Sequence, residues 1–280
     1  MPTPTATATH RLGVVSFVNT LPLIDGLGVW DDFDLQFTVP SLLIDQLLAR
    51  DVDAALVSSI DYQMSDEPLI VLPVGLLGCD GPTLTVRLYS SIPIENITRV
   101  YCDTDSHTSV VLLQILLREQ YGLKPEIVPY HAREHVAEHR PLDWPESMLL
   151  IGDKVVTDSP PAVRYPHQLD LGEAWKRLTG MPFVFATWMA RADADDTVLR
   201  TMARVLDHQR RHNVTRLDRI IHEHAVPRQW PRDLAARYLK DYLVFDWTDE
   251  REHAMTEFYR RAASHGFIPE ARPVRRLDID

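Results

Sequence analysis

Small uncharged polar side chains stand where the first predicted strands end. In the segment VVSFVNTLPL, residues 14–23, Ser16 and Asn19 follow an apolar run, and Ser58 and Ser59 follow a later one. Hydroxyl and amide groups offer hydrogen-bond donors without bringing a charge of their own. Grouped at one edge of a sheet, they are typical of a site for a small polar or anionic ligand. We take these four residues as site candidates.

Two further strand ends carry candidates of the same kind. The turn Cys79-Asp80-Gly81-Pro82 contributes Asp80 and Gly81. The segment DTDSHTS, residues 103–109, contributes Ser106, His107, Thr108 and Ser109. Ser106 has the residue type of an N-cap, and the free N–H groups of the helix that follows would face an anion. Ordinary caps and turns use the same residue types, so both interpretations stay open for each stretch taken alone.

Two isolated residues complete the candidates. Asp153, in the segment IGDK, becomes a usable base if burial raises its pKa toward the working range. Thr179 precedes the Gly-Met-Pro turn at residues 180–182, where the chain can approach a ligand. Both are predicted to lie near the ligand.

The histidines do not predict a metal site. His131, His135 and His139 are spaced four residues apart, which would place them on one face of a helix near Arg133–His139. A zinc site needs three or four converging ligands, usually with carboxylate or thiolate partners. The neighbours here are Arg and Glu, which favour a solvated polar face. P-loop, G-x-G-x-x-G and G-x-S-x-G patterns are absent from the sequence, so the usual marks of nucleotide, dinucleotide and serine-nucleophile chemistry are missing.

Composition narrows the classes of partner. The chain has 280 residues, 45% of them hydrophobic, and a formal net charge of −11. This length suggests roughly two domains, and the acidic balance argues against a nucleic-acid partner. With no run of about 18 apolar residues we expect no membrane span. The N-terminus lacks the features of a secretory signal, so we expect a cytoplasmic protein with two reduced cysteines. A homodimer is compatible with the sequence.

Alternating apolar runs and amphipathic stretches predict an α/β fold. Strands are expected at Leu12–Phe17, Phe33–Val39 and Ala54–Val57 with helices between them, an order that favours a mostly parallel sheet. The alternation restarts at Leu84–Tyr89, and the last third of the chain is helical.

This restart predicts a second α/β lobe inserted into the first. Residues 1–88 and 189–280 would form lobe 1, and residues 89–188 would form lobe 2. Two-lobe α/β proteins usually bind their ligand between the lobes, near the carboxyl ends of strands. We therefore expect a ligand cleft at that interface.

An ordered set of motifs resembles a known family. They are GVVSFVNTLPLIDGL, PSLLIDQLLARDVDAALVSSIDY, CDGPTLTVRLYS, DTDSHTSVVLLQILL, LLIGDKVV and DLGEAWKRLTGMPFVFATW. Together they resemble the chorismate dehydratases of the futalosine route to menaquinone. The resemblance runs from about Arg11 to Trp188, and its specificity lies in the ordered set rather than in one motif. The C-terminal helices fit the family in length and character only.

The resemblance implies a fold, a reaction and several roles. The fold is like that of the type II periplasmic binding proteins, and the reaction removes water from chorismate to give 3-[(1-carboxyvinyl)oxy]benzoate without metal or cofactor. The family's Ser-x-x-Asn motif falls on Ser16 and Asn19, which we take as catalytic. Its second-lobe motif falls on Ser106, Thr108 and Ser109, expected to bind a carboxylate. His107 replaces an arginine that the family commonly has in this loop, and it can pair with a carboxylate only when protonated or as a neutral donor.

The general base and the class of function have alternatives at this point. Asp80 and Asp153 are acidic candidates for the base, and the substrate's own enolpyruvyl carboxylate is slightly favoured because the site is mostly neutral. A non-catalytic anion-binding protein or sensor of the same fold is the main rival, since fold alone does not assign function. The sister dihydroxynaphthoate synthase family, which shares the fold but has a different opening motif, is a third interpretation.

Overall fold

The strands of the protein form two sheets. The computed structural model describes residues 10–133 and 144–279. The first sheet has the order β11-β4-β10-β3-β1-β2 and the second the order β7-β6-β8-β5-β9. The strands of the first sheet are β1 His10–Val15, β2 Phe33–Thr38, β3 Ala54–Ser58, β4 Leu69–Cys79, β10 Phe183–Arg191 and β11 Leu243–Val244. Those of the second are β5 Val86–Ser90, β6 Arg99–Asp103, β7 Glu126–Tyr130, β8 Ser147–Ile151 and β9 His167–Asp170.

Helices connect the strands and cover the sheets. In the described ranges they are α1 Leu21–Ile24, α2 Leu43–Leu48, α3 Asp61–Met64, α4 His107–Tyr121, α5 Lys154–Thr157, α6 Leu171–Thr179, α7 Asp196–Val214, α8 Leu217–Ile220, α9 Arg232–Arg237 and α10 Asp249–Ser264. Two π-helical turns, Ile221–Ala225 and Tyr238–Tyr242, continue α8 and α9. Within these ranges no helix combines the length and apolar character needed to cross a membrane. The predicted helix near Arg133–His139 falls largely on residues 134–143, outside the described residues.

Both sheets are mixed, so the expectation of a mostly parallel sheet is wrong. In the first sheet β1 pairs in parallel with β2 and β3, but β10 runs antiparallel to β3 and β4. In the second, β5 is antiparallel to both β8 and β9. The reason is topological: when the chain returns from the second sheet, it enters the first as β10 from the opposite end.

Strand β4 was not predicted from its sequence, LIVLPVGLLGC. Pro73 lacks an N–H for the ladder, and Gly75 and Gly78 weaken the strand pattern. The structure accommodates them with register shifts along the β10–β4 pairing. The Arg210 guanidinium donates to the carbonyl of Val74 at 2.9 Å within the irregular stretch. Tertiary contacts therefore complete a strand that local propensity does not indicate.

The chain changes sheet between Cys79 and Val86 and returns between Asp170 and Phe183. The predicted lobe boundaries, at residues 88 and 188, fall within β5 and β10. Because a strand belongs to one sheet along its length, we propose that lobe 2 begins in residues 80–85 and ends in residues 171–182.

Asp170 secures this crossing. Its carboxylate accepts hydrogen bonds from the N–H groups of Thr83 and Leu84, at 2.9 and 2.7 Å, and from that of Glu173 at 3.1 Å as the N-cap of α6. Gly172, in the first turn of α6, packs against the same segment. A Cβ at Gly172 would lie 2.5 Å from Cys79 Sγ and 2.6 Å from the carbonyl oxygen of Gly81.

We expect Gly172→Ala to lower the free energy of unfolding by about 1–3 kcal/mol. The new methyl group would overlap the carbonyl oxygen of Gly81, which belongs to the backbone and cannot rotate away as a side chain could. Gly28→Ala is the matched control, since a Cβ there would meet only Leu35 Cδ1 at 3.8 Å. Urea denaturation measures both variants. Equal stabilities for the two variants would contradict the close packing at the crossing.

Candidate active site

A cavity lies between the two sheets, and hydroxyl and amide groups line its polar part. Apolar side chains such as Val15, Leu56 and Phe185 form the rest of its lining. The polar residues from the first sheet and its helices are Asn19, Thr20, Ser58 and Tyr238. Those from the crossing segment and the second lobe are Thr83, Thr85, Ser106 and Ser109. Among the described residues that line the cavity, none carries an ionisable carboxylate, ammonium or guanidinium group.

Asn19 is one of the predicted site residues that line this cavity. It lies in a short helical turn just after β1, and only 9% of the residue is exposed. Its side-chain oxygen is buried and accepts no hydrogen bond from any described residue. A buried amide oxygen without a partner costs about 1–3 kcal/mol. The orphaned oxygen in a cavity wall is thus a ready acceptor for a ligand hydroxyl or N–H.

The first turn of α4 provides the cavity wall on the second lobe. Ser106 caps the helix: its Oγ accepts from the Ser109 N–H at 3.2 Å and lies 3.0 Å from Ser109 Oγ. Both serines line the cavity. The first N–H groups of a helix have no partner inside it, and the positive end of the helix dipole lies there. This wall of hydroxyls and N–H groups suits a carboxylate.

Ser59 and Thr108, both predicted site residues, lie beside the cavity and join the lobes. Ser59 Oγ donates to the carbonyl of Val184 at 2.8 Å and lies 3.4 Å from Thr108 Oγ1. Thr108 Oγ1 accepts from the Ile60 N–H at 3.1 Å. Because side chains alternate at the end of β3, Ser58 faces the cavity while Ser59 faces the contact between lobes.

Asp153 also forms a bridge between the lobes. Both its oxygens accept from the N–H of Val18, at 3.1 and 3.2 Å, and burial raises the pKa of its carboxyl. The residue before it, Gly152, lines the cavity and has a φ of +74°. A Cβ on Gly152 would lie 2.8 Å from the ring of Phe17. The Gly-Asp pair of the IGDK segment therefore lets the two lobes meet at Phe17.

Four other predicted residues are not part of the cavity lining. Ser16 is exposed, and its carbonyl accepts from Arg228 at 2.9 Å. Asp80 is half-exposed and pairs with Lys176 at 2.5 Å. Gly81 forms the crossing turn with a φ of +128°, and Thr179 Oγ1 donates to the Trp175 carbonyl at 2.9 Å at the end of α6.

His107 reaches out of the cavity and across to the first lobe. Its Nδ1 lies 2.8 Å from Asp61 Oδ1, and 43% of the His107 side chain is exposed against 4% for Asp61. The hydrogen bond to Asp61 raises the pKa of His107. Burial raises the pKa of the Asp61 carboxyl, and the His107 contact partly opposes this. His107 is therefore paired with a carboxylate of the protein itself.

The expectation that the histidines form no metal site can be compared with the structure for the described residues only. Among residues 10–133 and 144–279, no three His, Cys, Asp or Glu side chains converge as ligands. His131 lies 3.3 Å from the hydroxyl of Thr104. His135 and His139 lie outside the described residues.

The comparisons with known proteins agree with this geometry. The model of a family described as "Menaquinone biosynthesis" matches residues 10–264. A curated chorismate dehydratase of Thermus thermophilus is 31% identical over 222 residues, which cover 74% of this chain and 79% of the relative. The chain belongs to the menaquinone-biosynthesis family.

Solved structures show the same fold at low sequence identity. An Archaeoglobus fulgidus protein superposes with a TM-score of 0.74 at 15% identity, covering 94% of this chain and 100% of that one. The periplasmic aliphatic sulphonate binding protein of Escherichia coli superposes with a TM-score of 0.62 at 14% identity, covering 97% and 94%. The type II periplasmic-binding-protein-like fold predicted from the motifs is confirmed.

Three polar residues that line the cavity, Thr83, Thr85 and Tyr238, were not predicted from the sequence. Thr83 and Thr85 stand in the quoted motif CDGPTLTVRLYS, but the strand-end pattern predicted only Asp80 and Gly81 of the turn before them. Tyr238 comes from the C-terminal helices. Its hydroxyl oxygen lies 2.6 Å from Oγ1 of Thr85, although the two residues are 153 positions apart in the chain. The alternation of T-L-T before β5 was the available signal for the threonines. No local signal marks Tyr238.

The His107–Asp61 pair predicts a pH-dependent stability. A raised pKa in the folded state means that the pair contributes fully below pH 6.5, the ordinary pKa of His107, and that this contribution is lost as the pH rises through the raised value. We expect the melting temperature of wild-type protein to fall between pH 6 and pH 8 more than that of His107→Gln. His131→Gln, which removes a histidine that faces a hydroxyl, is the control. Parallel curves for wild type and His107→Gln would refute the pair's role.

Proposed function

We propose that this protein is a chorismate dehydratase, a hydro-lyase that removes water from chorismate to give 3-[(1-carboxyvinyl)oxy]benzoate. The observation that carries the proposal is the cavity between the lobes whose polar lining consists of hydroxyl and amide groups without a charged side chain. It occurs in a member of the menaquinone-biosynthesis family whose curated Thermus relative bears that name. The cytoplasmic location and a homodimer stay predictions of the sequence.

Chorismate carries two carboxylates, a ring hydroxyl and an enol ether, and the cavity offers matching partners. The first turn of α4, with Ser106 and Ser109, provides hydroxyl and N–H donors for one carboxylate. Asn19 and Ser58 offer an amide and a hydroxyl on the opposite lobe. Charge-assisted hydrogen bonds from such neutral donors are shorter and stronger than neutral ones.

The absence of a charged side chain from the described lining also limits which group can act as the general base. Asp153 is the nearest acidic candidate, but its two oxygens already accept from the Val18 N–H and it is not part of the lining. Asp80 is paired with Lys176 outside the cavity. We therefore assign proton removal to the enolpyruvyl carboxylate of the substrate, which the cavity holds in a reactive conformer. Donors around the ring carboxylate stabilise the charge that builds up when the ring proton leaves.

The test of the function is incubation of the purified protein with chorismate and a chelator, followed by mass spectrometry. We expect a product lighter by one water, formed in proportion to enzyme. Chorismate that binds but does not react would identify a sensor of the same fold. Failure to bind would refute the assignment of the ligand.

Asn19→Asp tests whether this residue faces a substrate anion. We expect kcat/KM to fall on the order of 100-fold or more, because a new negative charge would face a bound anion in a desolvated site. Asn96→Asp makes the same change of charge on the exposed surface and serves as the control. Asn19→Asp with wild-type kinetics would remove Asn19 from the site.

A further inference from the structure

The hydroxyl of Tyr238 is held in the cavity wall by a residue of the other lobe. Tyr238 is completely buried and packs its ring on Trp230, with ring centres 5.0 Å apart and planes 19° from parallel. Its hydroxyl oxygen lies 2.6 Å from Thr85 Oγ1, and both residues line the cavity. Such an anchored ring leaves little freedom to the phenolic oxygen.

The backbone at Tyr238 is unusual as well. Residues Tyr238–Tyr242 form a π-helical turn directly after α9. Single π-turns inserted into helices are found frequently at functional sites, because they shift side chains out of the register of an α-helix. Here the turn begins at the residue that reaches the cavity.

The hydrogen bonds of the Tyr238 hydroxyl bear on where its phenolic proton points. The Thr85 Oγ1 and Tyr238 hydroxyl oxygens lie 2.6 Å apart, and either can donate to the other. When Thr85 donates, the phenolic O–H can point to a partner in the cavity. Both residues line that cavity.

The surroundings of Tyr238 suit a neutral oxygen better than a carboxylate. Burial is the main cause that raises the pKa of Tyr238, and the negative field of Asp153 adds to it. The hydroxyl therefore stays protonated as a donor. An anionic group finds the hydroxyls of Ser106 and Ser109 and the positive end of the helix dipole instead, on the wall formed by α4.

We propose that Tyr238 donates its proton to the ring hydroxyl that leaves as water, and that Thr85 positions Tyr238 for this transfer. This inference rests on the proposed dehydratase function. The ring C–O bond breaks with its electron pair on oxygen, and the phenolic proton completes the water molecule. The tyrosinate then regains a proton from the substrate carboxyl group that took the ring proton. Hydroxide leaving into a desolvated cavity is a strong base, so it takes the phenolic proton as the C–O bond breaks.

Tyr238→Phe removes the donor while it keeps the ring and its stacking on Trp230. We expect kcat to fall on the order of 100-fold, as for loss of a general acid, with KM within a few-fold of wild type. Thr85 retains the Thr83 carbonyl, at 3.5 Å, as an alternative partner. Tyr165→Phe is the matched control, because it deletes another buried phenol hydroxyl, which donates to the Trp144 carbonyl at 2.8 Å outside the cavity.

A second readout separates a chemical role from a structural one. In D2O, chorismate recovered from Tyr238→Phe reactions should carry more deuterium per turnover at the ring carbon that bears the enol ether than chorismate recovered from wild type. The reason is that slower C–O cleavage leaves the carbanion time to return to substrate. Thr85→Val should show the same trend more weakly, and Thr85→Ser should restore wild-type kinetics.

The outcomes separate the two hypotheses. A Tyr238→Phe enzyme with kcat within twofold of wild type would overturn the donor role, and so would a loss of kcat without any rise in exchange. A wild-type protein that forms no product from chorismate would overturn the proposed function and the donor role with it.

Discussion

Backbone N–H groups of the first lobe join it to the second lobe, and the cavity lies between the lobes that they join. Val18 donates to Asp153, Ser41 to the carbonyl of Asp105 at 3.1 Å, and Ile60 to Thr108. Each donor lies just after a strand of the first sheet or in the turn that follows. Buried backbone N–H groups need partners, so closing the lobes satisfies donors that an open cleft would leave to water.

The charged side chains near the contact between the lobes pair with one another and are not part of the cavity lining. Buried Lys154 pairs with Asp103 and Asp105, at 2.6 and 3.1 Å, and Arg133 pairs with Asp105 at 2.7 Å. These charges compensate one another behind the ring of Phe17, over which both cations lie. A dianionic ligand therefore meets hydroxyls, amides and a helix N-terminus. Such a site can bind an anion and yet leave one of its carboxylates basic, because no cation neutralises it.

The sequence predicted the parts of this site that are local in the chain. Asn19, Ser58, Ser106 and Ser109 were identified because each stands at a strand end or a helix cap, which short-range patterns reveal. Ser59 and Thr108 stay predictions for the site, and the structure places them beside the cavity, where side-chain alternation directs them into the contact between lobes. Asp80 also stays a prediction, and it lies outside the cavity lining because its turn belongs to the crossing between the sheets. Strand β4 and its mixed pairing could not be predicted, because they depend on where a segment 100 residues later returns.

Tyr238 shows why the C-terminal helices matter although they carry no family motif. A helix that packs on the first sheet can place one phenol against the second lobe, and only tertiary structure determines which residue that is. Asn19, Thr85 and Tyr238 come from three separate parts of the chain and from both lobes. All three line the cavity, and Thr85 and Tyr238 are joined by a hydrogen bond. The proposed leaving-group donor is therefore assembled by tertiary structure, on a wall of the cavity other than the one that α4 provides for a carboxylate.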